Sequence, residues 1–139
     1  MILAVCFQLS AHAALIELKN VSDFENLIHT ADVPVLVQFS AYWCGPCQVL
    51  TGTLKKVAPS YSDDDVLLAK VDAHVNPSLQ KYLKGGYPTV RTFNHGTVAS
   101  KYFVGAVSEP EVRNFIDGLI ADPTRDVASI PQGPFCAVE

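Results

Sequence analysis

No apolar run in the chain approaches the roughly 20 residues that a bilayer-spanning helix needs, so a membrane span is not expected. Basic residues are scarce: 10 Lys and Arg stand against 14 Asp and Glu, for a formal net charge of -4. That balance repels phosphate backbones, which argues against nucleic acid or an anionic membrane as a partner. Internal repeats, low-complexity tracts and domain linkers between the two ends are absent. Cysteine is limited to 4 residues, and there is no second Cys-x-x-Cys and no His pair, so a zinc site is a poor fit; His12, His29, His74 and His95 are scattered. Gln48, not His, follows the second Cys of the one Cys-x-x-Cys, which excludes covalent haem. Neither a metal nor a bound cofactor is expected.

What is there suffices for one core. The chain has 139 residues, 49% hydrophobic and 17% charged, a globular composition well away from that of disorder. Residues 15–121 read as one domain, residues 1–14 as a candidate signal peptide or apolar extension, and residues 122–139 as an irregular tail. In the N-terminal stretch, Ala11-His12-Ala13 has the small-x-small form of a cleavage site, but no Lys or Arg follows Met1. A periplasmic or secreted location follows if those residues are a signal, and a cytoplasmic one otherwise.

Along the chain, Leu15–Leu18 predicts a first strand, and Ser22 with Glu25 has the capping-box spacing for a helix start. Phe24, Leu27, Ile28 and Ala31 keep to one helical face until Pro34. Residues 35–39 are nearly all apolar, as in a central strand covered on both sides, with Gln38 as the exception. A long helix follows with Leu50, Leu54, Val57 and Tyr61 in register, then a strand over residues 66–71. Asn76-Pro77 opens a short helix that Gly85-Gly86 should end. Residues 89–93 and 98–104 flank Asn94-His95-Gly96 as a hairpin. Ser108 and Glu111 cap a last helix striped by Val112, Phe115, Ile116, Leu119 and Ile120. Strands alternating with helices, closed by a hairpin, give an α/β class.

The chemistry lies in Trp43-Cys44-Gly45-Pro46-Cys47, where a strand hands over to a helix. Cys44 should sit at the helix N-terminus, with Cys47 three residues on, on the same face and within reach of a bond. Unpaired N–H groups and the positive end of the helix dipole favour a thiolate at Cys44. Pro46 is tolerated in the first turn, where an N–H has no intrahelical partner, and stiffens the spacer. The expected reaction is attack by Cys44 on a disulfide and resolution of the mixed disulfide by Cys47. A purely structural disulfide is the bland alternative. Cys6 and Cys136 are isolated, and pairing or regulation by them stays open beside the reading that they do nothing. Lys70 either tunes the thiols or reaches out to water, Trp43 either contacts substrate or merely packs, and Gln38 alone reads as a satisfied core polar group.

These residues closely resemble the thioredoxin family. Trp43 to Cys47 matches the family's active-site pentapeptide, Tyr87-Pro88-Thr89 its cis-proline loop, and Lys70-Val71-Asp72, Asn76-Pro77 and Gly105 further landmarks. The resemblance implies a five-stranded mixed sheet flanked by four helices, and a substrate groove formed by Tyr87, Pro88, Thr89 and Gly105. It also implies a protein-disulfide reductase, monomeric, without a cofactor, acting on protein disulfides and recharged by an external dithiol donor such as a thioredoxin-reductase-like protein. An exported oxidoreductase acting on envelope proteins and a non-enzymatic binding module using the groove are the alternatives. The chain departs from the family pattern at Gln38, where a buried Asp is usual, at Gly52 for a kinking Pro, at Gln48 for a basic residue and at Ser40 for an aromatic.

Overall fold

The computed structural model describes residues 11–123 and 132–138; Cys6 and most of the candidate signal peptide lie outside them. In chain order the elements are β1 (Leu15–Leu18), α1 (Val21–Thr30), β2 (Val35–Ser40), α2 (Gly45–Val57), β3 (Leu67–Asp72), β4 (Gly86–Tyr87), β5 (Thr89–Asn94), β6 (Thr97–Val104), α3 (Glu109–Ala121) and β7 (Cys136–Ala137). A 3-10 turn at Ala58–Ser60 prolongs α2, and a 3-10 helix, Pro77–Tyr82, supplies the fourth helical element of the expected set. The main sheet runs β1-β3-β2-β5-β6. Strands β1, β3 and β2 are parallel, while β5 and β6 form the antiparallel edge.

Strand β2 is central, and all six of its residues are buried, as its unbroken apolar run requires. The period of two sends Leu36 to one face, where it meets Leu50, Leu54, Phe103, Phe115 and Ile116. Val35, Val37 and Phe39 go to the other, with Phe24, Ile28, Val71 and Phe93. On that second face Phe24 contacts Phe39 and Phe93 edge-on, with centroids 5.6 and 5.3 Å apart. This aromatic cluster seats α1 beneath the strand end that carries the site.

Local details correct three expectations. Helix α1 is capped by Asn20, whose side chain accepts the Asp23 N–H at 2.8 Å, not by Ser22, because the chain turns helical two residues earlier. The segment after Asn76 winds as a 3-10 helix and stops at Tyr82, before Gly85-Gly86, and the Asn76 side chain donates back to the Asp72 carbonyl instead of capping. The C-terminal tail is not a loose appendage over residues 132–138, since β7 pairs antiparallel with β4. Other expectations hold: Ser108 donates its N–H to the Glu111 carboxylate at 3.0 Å at the start of α3. The hairpin turns through His95 and Gly96, both at positive φ, 50° and 81°.

At the N-terminal side, Ala13 is buried in the core and donates its N–H to the Tyr61 carbonyl at 2.9 Å, and His12 bridges Ser62. Residues 11–13 therefore lie against the domain. No helix among the described residues is long and apolar enough to cross a membrane.

Truncating Phe24 to Ala removes the ring at the centre of the aromatic cluster. Phe24→Ala is expected to cost about 3–5 kcal/mol, read as a lower urea midpoint with an unchanged slope.

Candidate active site

Strand β2 ends at Ser40, a short turn follows, and Cys44 becomes the N-cap of α2, with Pro46 in its first turn. Both sulfur-bearing residues are buried: Cys44 has 0% and Cys47 2% of its surface exposed. The backbone is tied locally, the Cys44 N–H donating to Ala41 and the Cys47 N–H to the Cys44 carbonyl, each at 3.1 Å. Cys44 is therefore held where the free N–H groups and dipole of α2 favour an anion.

Beside it stands the cis peptide Tyr87-Pro88. The Cys44 sulfur lies 3.5 Å from the Tyr87 carbonyl oxygen. Thr89 steadies the loop, its hydroxyl donating to Gly86 at 2.7 Å and accepting from Lys84. The Pro88 carbonyl accepts the Gly105 N–H at 2.8 Å. Trp43 packs edge-on against both Tyr87 and His74, and these three side chains with Gln80 and Ala137 line a cleft of about 530 Å³. His74 is one of four histidines scattered in the sequence, and only the fold brings it to Trp43.

Gln38 points from the α2 face of β2 and is fully buried. Its amide donates to the Cys47 carbonyl at 3.0 Å and its oxygen accepts from Thr51 at 3.2 Å, while Thr51 also donates to the Cys47 carbonyl at 2.8 Å. Gln38 thus anchors the backbone of α2 and is satisfied, as the plain reading of a core polar group requires. Thr51 escaped sequence reasoning, although its position one helical turn after Cys47 is the spacing at which such a hydroxyl returns to the backbone.

The register Gln38↔Lys70 and Ser40↔Asp72 brings Lys70 and Asp72 to the Cys47 end of the sheet. Together with Cys47, Gln48, Glu17 and Tyr42 they line a second cleft of about 300 Å³. Burial pushes the Cys47 thiol above its ordinary pKa; the Ala41 N–H favours the thiolate, the Asp72 charge opposes it and the Lys70 charge supports it. Asp72 is already engaged by the backbone N–H groups of Tyr42, His74 and Val75.

The sulfur pairing departs from the sequence reading, in which Cys47 is the partner within reach of Cys44. Cys44 is instead disulfide-bonded to Cys136, with Cα atoms 6.0 Å apart, and Cys47 is a free, buried thiol. A segment 92 residues away cannot be placed next to Cys44 by local spacing. The pairing arises from β7 docking on β4, with Cys136 opposite Tyr87.

The profile of the family described as thioredoxin matches residues 15–118. The chain belongs to the thioredoxin family. It is 37% identical over 100 residues to the mitochondrial thioredoxin of Bos taurus, an alignment covering 70% of this chain but only 58% of that protein. It is 33% identical over 110 residues to the probable thioredoxin-2 of Caenorhabditis elegans, covering 78% of this chain and 74% of that one. Among solved structures, a mutant thioredoxin from Halobacterium salinarum superposes with a TM-score of 0.65 at 27% identity, covering 83% of this chain and 95% of the other. The five-stranded mixed sheet and its helical flanks are accordingly the thioredoxin fold, and β7 is an addition beyond the segment matched by the thioredoxin profile.

Three variants test the surroundings of Cys47. Lys70→Met removes a charge that favours the thiolate and should move the alkylation midpoint of Cys47 to higher pH, whereas Asp72→Asn should move it lower; peptide mass spectrometry of Cys47 across a pH series reads both. Gln38→Leu leaves the Thr51–Cys47 bond but strips one partner from a buried carbonyl, and should cost about 1–3 kcal/mol in urea unfolding.

Proposed function

We propose that the chain is a protein-disulfide reductase working by dithiol–disulfide exchange. The observation that carries this reading is that a sulfur borne on an extended strand reaches Cys44 at the mouth of α2, while the second thiol of the motif, Cys47, waits buried behind it. This is the arrangement that an attacking and a resolving thiol require.

The Cys44 thiolate, favoured by the first N–H groups of α2, attacks one sulfur of a substrate disulfide and expels the other as a thiolate. Tyr87 in β4 offers backbone groups to an extended substrate segment, and Pro88, Thr89 and Gly105 hold that loop in place. Trp43 forms one wall of the cleft. Cys47 then loses its proton and attacks the Cys44 sulfur, releasing the second substrate thiol and leaving a Cys44–Cys47 disulfide. Because burial raises the Cys47 pKa, this step gains from higher pH and from Lys70. An external dithiol donor, a thioredoxin-reductase-like protein, returns two electrons and restores both thiols. Protein disulfides are the substrates, the protein acts as a monomer, and the chemistry needs no cofactor.

The chain is expected to reduce insulin disulfides with dithiothreitol as donor, and Cys44→Ser to abolish this. Equal rates for wild type and variant would defeat the enzyme reading in favour of a groove that only binds. The double variant Cys47→Ser/Cys136→Ser should accumulate mixed disulfides with substrate through Cys44, detectable on non-reducing gels.

A further inference from the structure

We infer that the segment 132–138 is a tethered substrate mimic, and that Cys136 is a third redox-active thiol that closes the groove by forming an internal mixed disulfide with Cys44. This rests on the reductase reading and adds to it a regulation of the same site.

The segment is built into the groove along its length, and the sulfur bond is only one of its attachments. Gly133 donates its N–H to the Val104 carbonyl at 3.0 Å, and the Pro134 carbonyl accepts from Ala106 at 2.8 Å. Two residues on, Cys136 and Ala137 pair antiparallel with Tyr87 and Gly86. An added strand of this kind is how sheet edges capture extended peptides, through main-chain bonds that any sequence can make. The approach is close enough to select glycine on both sides. A Cβ on Gly105, which sits at φ +91°, would strike Gly133, and one on Gly133 would strike the backbone of Ala106 and Val107. A Cβ on Gly86 would likewise strike the Phe135 ring, so that ring covers β4 one residue ahead of the sulfur. With the segment docked, Cys44 has no exposed surface.

The chemistry balances without an outside oxidant. After the enzyme has reduced a substrate it carries the Cys44–Cys47 disulfide. The Cys136 thiolate attacks the Cys44 sulfur, the Cys44–Cys47 bond breaks, and Cys47 leaves as a thiolate that takes up a proton. One disulfide replaces another, and the proton lost by Cys136 offsets the one gained by Cys47. The reverse attack, by Cys47 on Cys44, reopens the groove. An external dithiol opens it too, giving two electrons and two protons so that Cys44 and Cys136 end as thiols. The burial that holds Cys47 protonated slows the internal reopening. Because the segment is part of the chain, its competition with substrate is not weakened by dilution.

The consequence is a reductase that shuts when donor runs short, guarding its attacking sulfur until dithiol returns. The test uses the full chain, equilibrated in a glutathione redox buffer, quenched in acid, alkylated and digested. The wild type should yield the Cys44 peptide joined to the Cys136 peptide with Cys47 alkylated, in a yield independent of protein concentration. Gly133→Val, which touches no sulfur, should lower that yield. Cys136→Ser should speed insulin turnover at limiting donor, about twofold if half of the oxidised wild type is closed. Recovery of Cys44–Cys47 alone with Cys136 alkylated, or a Cys44–Cys136 link that fades on dilution, would overturn the inference. So would equal insulin rates for wild type and Cys136→Ser. If Cys136→Ser and wild type both reduce insulin while the internal link is missing, the reductase reading survives and only the tethered mimic is lost; if neither reduces insulin, the reading itself is lost.

Discussion

The structure depends on one strand-to-helix junction. Strand β2 is buried on both faces, so its end is rigid, and the turn after Ser40 delivers Cys44 to the first position of α2 with little freedom left. Everything chemical follows from that placement. The helix dipole and unpaired N–H groups act on Cys44 and fade within a turn, while Cys47, at the same helix end, is governed by burial and by whichever charges the neighbouring strand brings near. One environment favours an anion and the other opposes it, and in the proposed mechanism this difference divides the attacking from the resolving role.

The parallel register between β2 and β3 decides which charges those are. A shift of one residue would turn Lys70 and Asp72 to the other face of the sheet. In the observed register they stand at the Cys47 end with opposing effects on its thiol, and Gln38 beside them serves the backbone of α2. The usual acid at that position is replaced by an amide whose bonds are all structural. Cys47 instead shares a polar cleft with Lys70, Asp72 and Glu17.

The docked C-terminal segment adds a strand to β4, where the proposed mechanism seats an extended substrate. It uses the main-chain groups of β4 and the space that Gly105 leaves open, and its sulfur meets Cys44 from the β4 side. A groove that recognised backbone, as proposed, would be open to any extended strand with a sulfur in the right register, its own tail included. This gives Gly105 and Gly133 a shared physical reason: two backbones pass each other too closely for a Cβ on either.

The sequence by itself determined the elements and the motif. Apolar periodicity marked β2, α2 and α3, Ser108 and Glu111 marked a helix start, and the Cys-Gly-Pro-Cys spacing marked the candidate redox site, because each of these signals is local and spans a few residues. Even local chemistry misled where two caps competed, as Asn20 displaced Ser22. Only the tertiary structure decided the approach of His74 to Trp43, the opposing charges around Cys47, and the partner of Cys44. Composition made the tail look irregular, since β7 is only two residues long and takes its bonds from β4. Pairing across 92 residues is set by which strand edges and backbones come together in space, and no pattern within the tail carries that information.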